Sequence, residues 1–302
     1  MALISIAIII ISYAYMNQYE HERSLVFPLS SSDHVIQNAI SYLQDTIDVN
    51  GTFADLGTTS WIAMALSAAD EDPNEWKKTQ TYLIESTTEQ KLIQASDWER
   101  HTLALISFDI DPYNVNGINC IEHILSYYDN HQIGEPSIIH DDIFGILALR
   151  SAGISKENKT IQQVQSHIIN QQERDGGWGD VDTSAAAIMA LIASGENQSS
   201  EIIQEGRRFL RDHQTASGGF TSWGSTNTAT TSWVLCSLSL LEEDPLTEEW
   251  MQQENSAISY LISMQNPDGS FLYTTNTELN PVWMTAYAMI SLTGNTFFIN
   301  SD

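Results

Sequence analysis

The stretch 171–191, QQERDGGWGDVDTSAAAIMAL, decides the fold of this 302-residue chain. It begins at the end of a polar helical segment, turns at Asp175-Gly176-Gly177 and continues as a run of small and apolar residues. Glycine supplies the positive φ that lets a chain leave one helix and start another in a new direction. The stretch therefore predicts the bend of a helical hairpin, with a half-polar first helix and an apolar second helix.

The same pattern occurs six times along the chain. The equivalent leucines of the second helices are Leu66, Leu105, Leu149, Leu191, Leu238 and Leu292. The second helices are predicted at 58–69, 99–108, 141–153, 182–195, 230–241 and 284–294. The first helix of the first hairpin is predicted at 33–46, with Ser31, Ser32 or Asp33 as its N-cap. A period of about 42 residues is typical of a helix-pair repeat.

Two features of the repeat favour a closed ring over an open solenoid. The second helices are apolar on nearly all sides, so we expect them to be buried inside six half-polar outer helices. An open solenoid would need polar end caps, which the sequence lacks. We therefore predict an all-α fold, an α/α toroid over residues 31–300. The turn aromatics are predicted to be structural wedges: Phe53, Trp178, Phe220 and Phe271.

The charge of the chain excludes two classes of partner. With 12 basic and 39 acidic residues, the formal net charge is −27. Nucleic acids and anionic membranes both require clustered Lys and Arg, so neither is an expected partner. The two cysteines, Cys120 and Cys236, lack a metal-binding spacing and are predicted to be buried free thiols, and no metal site is predicted.

The N-terminal segment 1–16 is apolar, and its length is short for a membrane-spanning helix. It favours a signal peptide or an N-terminal membrane tether, followed by a linker over 17–30. We therefore expect a secreted or cell-surface protein, in contact with a membrane only through this segment.

The stretch 171–191 resembles the repeat of terpenoid cyclases, such as squalene–hopene cyclase, and of protein prenyltransferase β-subunits. The resemblance extends over about 33–298 and implies the α/α toroid fold. It is less specific for activity, because the same fold also serves as a cobalamin-binding domain and as a thioester domain. Exported cobalamin carriers are the most similar in context, although their C-terminal β-domain has no counterpart here.

The resemblance to class II cyclases implies a proton donor. These enzymes protonate an alkene or epoxide with an Asp-x-Asp-Asp motif, and the matching residues are Asp180-Val181-Asp182-Thr183. Asp182 would be the catalytic acid and Asp180 its neighbour, with Thr183 replacing the third Asp. The alternative is structural, with Asp182 as an N-cap and Asp180 as a turn residue. The second helical domain of those cyclases is an argument against this activity in a chain of this length.

The prenyltransferase and thioester activities are not expected. The chain contains neither the Asp-x-Cys of the prenyltransferase zinc site nor the Cys-Gly-Glu-Gln of thioester domains.

Several residues are expected to face a shared cavity. At the starts of the second helices these are Asp97, His101, His140 and Asp141, for which ordinary helix capping is the alternative. Five aromatic residues are expected to line the cavity or to fill the ring: Trp61, Phe144, Trp233, Trp283 and Tyr287. Acidic helix starts favour a neutral, amphipathic or cationic ligand over a phosphate.

The sequence leaves three functions open. The favoured one is an exported, non-catalytic binding module for a small amphipathic ligand, a glycan or a cell-surface protein. The resemblance implies a cobalamin-type or isoprenoid ligand, without fixing a cofactor. The alternative is a class II terpene cyclase-like enzyme with Asp182 as the proton donor, and the third is a purely structural surface protein.

Overall fold

The computed structural model describes residues 25–297, which contain twelve α-helices in two concentric rings. The inner helices are α2 (Leu56–Ala68), α4 (Ala95–Ser107), α6 (Ile139–Ser151), α8 (Val181–Ala193), α10 (Thr228–Leu240) and α12 (Pro281–Leu292). The outer helices are α1 (His34–Thr46), α3 (Lys77–Ser86), α5 (Cys120–Ser126), α7 (Lys159–Asn170), α9 (Glu201–Asp212) and α11 (Ala257–Ser263). The predicted signal segment 1–16 lies outside the described residues.

The inner helices form a closed ring. Each packs against the inner helices before and after it in sequence, and α12 packs against α2. The predicted α/α toroid is therefore confirmed. The inner helices are parallel, so all of them begin at one end of the enclosed space. We call this space the lumen and that end the mouth.

The inner helices begin one to four residues earlier than predicted. In α2, α8 and α10 the reason is a capping side chain further upstream, from Asp55, Asp180 and Asn227. Asp33 caps α1 as expected, since its carboxylate accepts from the Val35 N–H at 2.9 Å. The expectation that Asp182 caps α8 is wrong. Asp180 is the N-cap, accepting from the Thr183 N–H at 2.8 Å, and Asp182 lies in the first helical turn.

Three glutamines at the ends of outer helices join neighbouring hairpins; we call Gln172, Gln214 and Gln265 the turn glutamines. The Gln172 amide donates to the carbonyl of Gly176 at 2.9 Å and to that of Ile202, in the next outer helix, at 2.8 Å. Gln265 makes the same pair of bonds, to Gly269 at 3.2 Å and to Val35 at 2.8 Å. Because Val35 belongs to α1, the last turn glutamine closes the ring.

The turn glycines allow this close approach. Gly269 has φ of +92°, and a Cβ at this position would lie 2.1 Å from the Asn38 carbonyl oxygen of α1. Any side chain would therefore push the last turn away from the first helix.

The turn aromatics are buried as predicted: Phe53, Trp178, Phe220 and Phe271. The backbone N–H of each donates to a hydroxyl group one turn into the following inner helix. Phe53 donates to Thr59 at 3.0 Å, and Trp178 donates to Ser184 at 2.8 Å. In these four hairpins, a hydrogen bond thus links the buried aromatic residue to the first turns of the inner helix.

Short antiparallel pairs are the only sheet structure within 25–297. They join β1 (Thr221–Ser222) to β2 (Ser225–Thr226), and β3 (Met251–Gln252) to β4 (Asn255–Ser256). Cys120 and Cys236 are buried free thiols, as predicted. No helix in this range is long and apolar enough to cross a bilayer.

We expect Gln265→Ala to lower the free energy of unfolding by about 1–3 kcal/mol, because two backbone carbonyls lose their donor where the ring closes. The control is Gln37→Ala, which removes an exposed amide bonded only to the Ser31 carbonyl. Its effect should stay within about 0.5 kcal/mol. Urea denaturation of both variants measures this, and equal losses would contradict the role of Gln265 in closure.

Candidate functional site

One position of the repeat brings an aromatic side chain into the lumen in four of the six hairpins. It lies five residues before the repeat leucine and is occupied by Trp61, Arg100, Phe144, Ala186, Trp233 and Tyr287. The aromatic members meet in the middle of the ring. The Trp61 ring centre lies 5.9 Å from that of Phe144, 6.2 Å from that of Trp233 and 5.3 Å from that of Tyr287.

All five aromatic residues expected in the cavity come together. Trp283, one turn nearer the mouth, stacks on Trp61 with ring centres 6.4 Å apart. The Arg100 guanidinium lies 6.0 Å from the Trp61 ring centre and forms an ion pair with Asp97 at 3.0 Å. Tilted and edge-to-face contacts of this kind are the favoured arrangements of packed rings. The aromatic side chains thus fill the lumen as well as line it.

A sixth ring was not expected from the sequence. Phe297 is fully buried, with its ring centre 4.0 Å from that of Trp233 and 5.2 Å from that of Trp61. It lies beyond the last inner helix, so no repeat position could have identified it. The six rings form the central ring cluster: Trp61, Phe144, Trp233, Trp283, Tyr287 and Phe297.

Asp182 faces the mouth end of this cluster. It lies nine residues before its repeat leucine, one helical turn above the lumen position, where the other hairpins have Gly57, Ser96, His140, Ala229 and Trp283. It is therefore the one carboxylate at this position. Its Oδ1 atom is buried and has no hydrogen-bond partner among residues 25–297.

The surroundings of Asp182 favour its protonated form. Burial raises its pKa to about 6 and the charge of Asp180 adds to this, while the nearby Thr230 hydroxyl lowers it. The Tyr287 hydroxyl is close enough that the charge of Asp182 raises its pKa, although burial is the larger cause. A carboxyl group at the mouth is thus held near the pKa that suits a general acid at mildly acidic pH.

Asp180 has a structural role. It caps α8 as Asp55 caps α2 and Asn227 caps α10, all eleven residues before their repeat leucines. Asp180 is thus a helix cap that lies beside the predicted acid, and its negative charge raises the pKa of Asp182.

The residues predicted at the mouth differ in what their side chains contact. Asp97 is a cap, since it accepts from the Gln94 N–H at 3.2 Å, and it lines an open pocket of about 280 Å³ with Arg100 and His101. His101 is buried against the Thr87 hydroxyl at 2.9 Å, and burial lowers its pKa to about 3. His140 is exposed, and its Nε2 lies 3.0 Å from the Thr183 hydroxyl.

Helix capping, the alternative for Asp141, is wrong, because the N-cap of α6 is Ile138. The Asp141 carboxylate accepts from the Glu135 N–H at 3.0 Å, and that of Asp142 accepts from the Ile133 N–H at 2.8 Å. Both hold the preceding loop. Asp142 occupies the position of the hydroxyl residues Thr59 and Ser184 in other hairpins, seven residues before the leucine.

Burial raises the pKa of carboxyl groups in the second and third hairpins. It raises the pKa of Asp142 to about 7 and, with the charges of Asp141 and Asp142, raises that of the fully buried Glu99 well above its ordinary value. His167 Nε2 lies 3.6 Å from Asp142 Oδ2, while burial lowers the pKa of His167. The described residues contain no group of three or more His, Cys, Asp or Glu that could hold a metal ion.

The comparisons with known proteins concern the fold. No family model matches the chain, and no curated protein matches it in sequence. The solved type II terpene cyclase MstE from Scytonema is 14% identical, with a TM-score of 0.64 over 86% of this chain and 96% of that one. The ent-copalyl diphosphate synthase from Streptomyces platensis is 12% identical, with a TM-score of 0.58 over 79% of this chain and 50% of that one.

The fold is that of the type II terpene cyclases. A chain described as a glycosidase variant also matches, at 10% identity and a TM-score of 0.61, over 86% of this chain and 97% of that one. The toroid alone therefore does not assign a reaction. The argument from a missing second domain is wrong, because this toroid covers nearly all of MstE. A variant of MstE is described in complex with its substrate, geranylgeranyl dihydroxybenzoate.

We expect the protein to lose stability as the pH rises from about 4 to 7. The unfolded Asp142 carboxyl ionises near pH 4, whereas the folded one holds its proton to about pH 7, so the folded state binds more protons in this window. Asp142→Thr, which supplies the hydroxyl found in other hairpins, should make the decline shallower. Melting temperatures at pH 5 and 8 measure this. An unchanged decline would contradict the assignment, and Asp70→Asn, a change at an exposed turn residue, is the control.

Proposed function

We propose that this chain is a class II terpene cyclase-like enzyme, in which Asp182 protonates the terminal alkene or epoxide of an isoprenoid held in the lumen. The observation that carries the proposal is the position of Asp182. It is a carboxyl group with a buried, unpartnered oxygen at the mouth of an aromatic lumen, and its surroundings favour the protonated form. Its five repeat equivalents carry no acid.

The proposed chemistry starts with transfer of one proton. The O–H bond of Asp182 breaks as a C–H bond forms at one alkene carbon, or an O–H bond at the epoxide oxygen, leaving a carboxylate and a carbocation. Thr230 and Asp180 are the polar groups that influence this carboxyl. The cation would be stabilised by the faces of Trp61, Trp233 and Tyr287, because ring faces attract positive charge most strongly where water is excluded. Loss of a proton from the cyclised cation to water ends the reaction, and the Asp182 carboxylate then takes up a proton from solvent.

The substrate class follows from the charges at the mouth. Asp55, Asp97 and Asp180 surround the helix starts, and Arg100 is already paired with Asp97. An uncharged isoprenoid suits these surroundings better than a diphosphate. The geranylgeranyl chain bound by MstE supports a substrate of this kind. Export through residues 1–16 and a cobalamin ligand are separate proposals that this chemistry does not require.

A non-catalytic binding module is the second candidate. The observation in its favour is the filled lumen, together with Thr183 in the place of the third Asp of the motif. If this candidate is correct, the Asp182 side chain is not needed as a proton donor, because binding without chemistry does not use the carboxyl proton.

We expect the purified protein to convert geranylgeraniol or its terminal epoxide to cyclic products detectable by gas chromatography and mass spectrometry. Asp182→Asn should lower the turnover at least about 100-fold, because the amide cannot donate the proton. Asp55→Asn is the matched control, since Asp55 caps α2 as Asn227 caps α10. Bound but unconverted isoprenoid in the wild type would favour the binding module instead.

The pH dependence of turnover should follow the carboxyl group of Asp182. The acid is active in its protonated form, so we expect turnover to fall as the pH rises through about 6. Asp180→Asn removes a charge that raises this pKa, so the fall should move to lower pH. A profile that stays flat from pH 4 to 8 would exclude Asp182 as the acid.

A further inference from the structure

We propose that Phe297 is a displaceable plug, so that an apolar ligand enters the lumen only when the segment 293–297 withdraws. The inference rests on the proposed function for the choice of an isoprenoid as the ligand. It adds the residue that controls access to the lumen and the size of ligand that fits.

The need for a plug follows from the packing of the lumen. Trp61 has four aromatic neighbours from α6, α10 and α12 with ring centres within 6.4 Å. These rings come from both sides of the lumen and meet at its centre. Phe297 is a fifth neighbour of Trp61, at 5.2 Å, so the centre has room for a ligand only if a ring leaves.

Phe297 is the ring whose backbone can move without breaking an inner helix. The other five members of the central ring cluster belong to inner helices, whose backbones are fixed by helical hydrogen bonds and by packing against both neighbours. Phe297 lies five residues beyond the end of α12 in a segment without regular secondary structure. Its ring is nevertheless fully buried, 4.0 Å from the Trp233 ring centre and 5.3 Å from that of Tyr287.

The route of the segment shows from which end Phe297 enters. The helix α12 ends at Leu292, and Gly294 then turns the chain with φ of +70°. The Asn295 side chain donates to the carbonyl of Ala68, the last residue of α2, at 3.0 Å. The segment therefore crosses the end of the lumen where the inner helices finish, opposite Asp182. Phe297 closes the floor of the lumen, and its withdrawal would leave Asp182 in place.

The space that Phe297 occupies is suited to an apolar ligand. Trp61, Trp233 and Tyr287 contact its ring, so an isoprenoid methyl group or double bond would meet three aromatic surfaces in its place. A larger residue at position 297 should exclude such a ligand, and a smaller one should admit it without movement of the segment. When a binding-competent state is only partly populated, the measured affinity falls by that fraction, so removing the plug should raise it.

The test measures binding of geranylgeraniol to the full chain by quenching of tryptophan fluorescence. Phe297→Ala should bind at least about ten-fold more tightly than the wild type, Phe297→Leu should fall between them, and Phe297→Trp should bind more weakly. The control is Phe271→Ala, which removes the same fully buried side chain from a turn outside the central ring cluster and should leave the affinity unchanged. If Phe297→Ala does not fold, Phe297→Leu and Phe297→Trp still give opposite expected shifts.

Hydrogen exchange provides the second measurement. In the wild type, the amides of residues 295–297 should exchange faster when geranylgeraniol is bound, whereas those of α12 should not change. Equal affinities of the wild type and Phe297→Ala, or slower exchange of 295–297 in the complex, would overturn the plug. Tighter binding by Phe297→Ala with no cyclic product from any variant would uphold the plug and reject the proposed cyclase. Absence of binding by every variant would reject both.

Discussion

The bond from a turn glutamine to the next outer helix is the interaction on which the rest of the molecule depends. An inner helix that is apolar on nearly all sides is stable only when neighbours cover it, and in the last three hairpins a turn glutamine bonds to the neighbouring hairpin. Gln172 and Gln265 make the same two bonds at distant points of the ring. Because Gln265 reaches α1, the first and last hairpins become neighbours, and the lumen exists as an enclosed space.

The site is best understood through departures from the repeat. Positions that stabilise the fold carry similar residues in several hairpins, such as the caps Asp55, Asp180 and Asn227. Asp182 differs from its equivalents, which are small residues, His140 and Trp283. Burying the Oδ1 atom of Asp182 without a hydrogen-bond partner costs stability, so its presence at a lumen-facing position favours a chemical role over a structural one. Asp142 also departs from its equivalents, but it keeps their hydrogen bond.

Much of the fold could be predicted from the sequence because the repeat fixes it. The leucine register places Trp61, Phe144, Trp233 and Tyr287 in one layer, and the same count would have placed Arg100 there. Other features depend on what the repeat does not encode. The choice of Asp180 as cap depends on the backbone conformation before α8, and the bonds of Asp141 and Asp142 depend on the shape of the preceding loop. Phe297 reaches the lumen from outside the repeat, so only the fold of the segment 293–297 reveals it.

Closure of the ring also affects how the chain is assembled. The bond from Gln172 to Ile202 spans 30 residues, whereas the bond from Gln265 to Val35 spans 230. The entropy lost on joining two points of a flexible chain grows only with the logarithm of their separation, so the last contact costs about 2 kcal/mol more than the others. Each hairpin can therefore form on its neighbour as in a linear repeat array. One late, long-range contact then joins the two ends of that array into a closed ring.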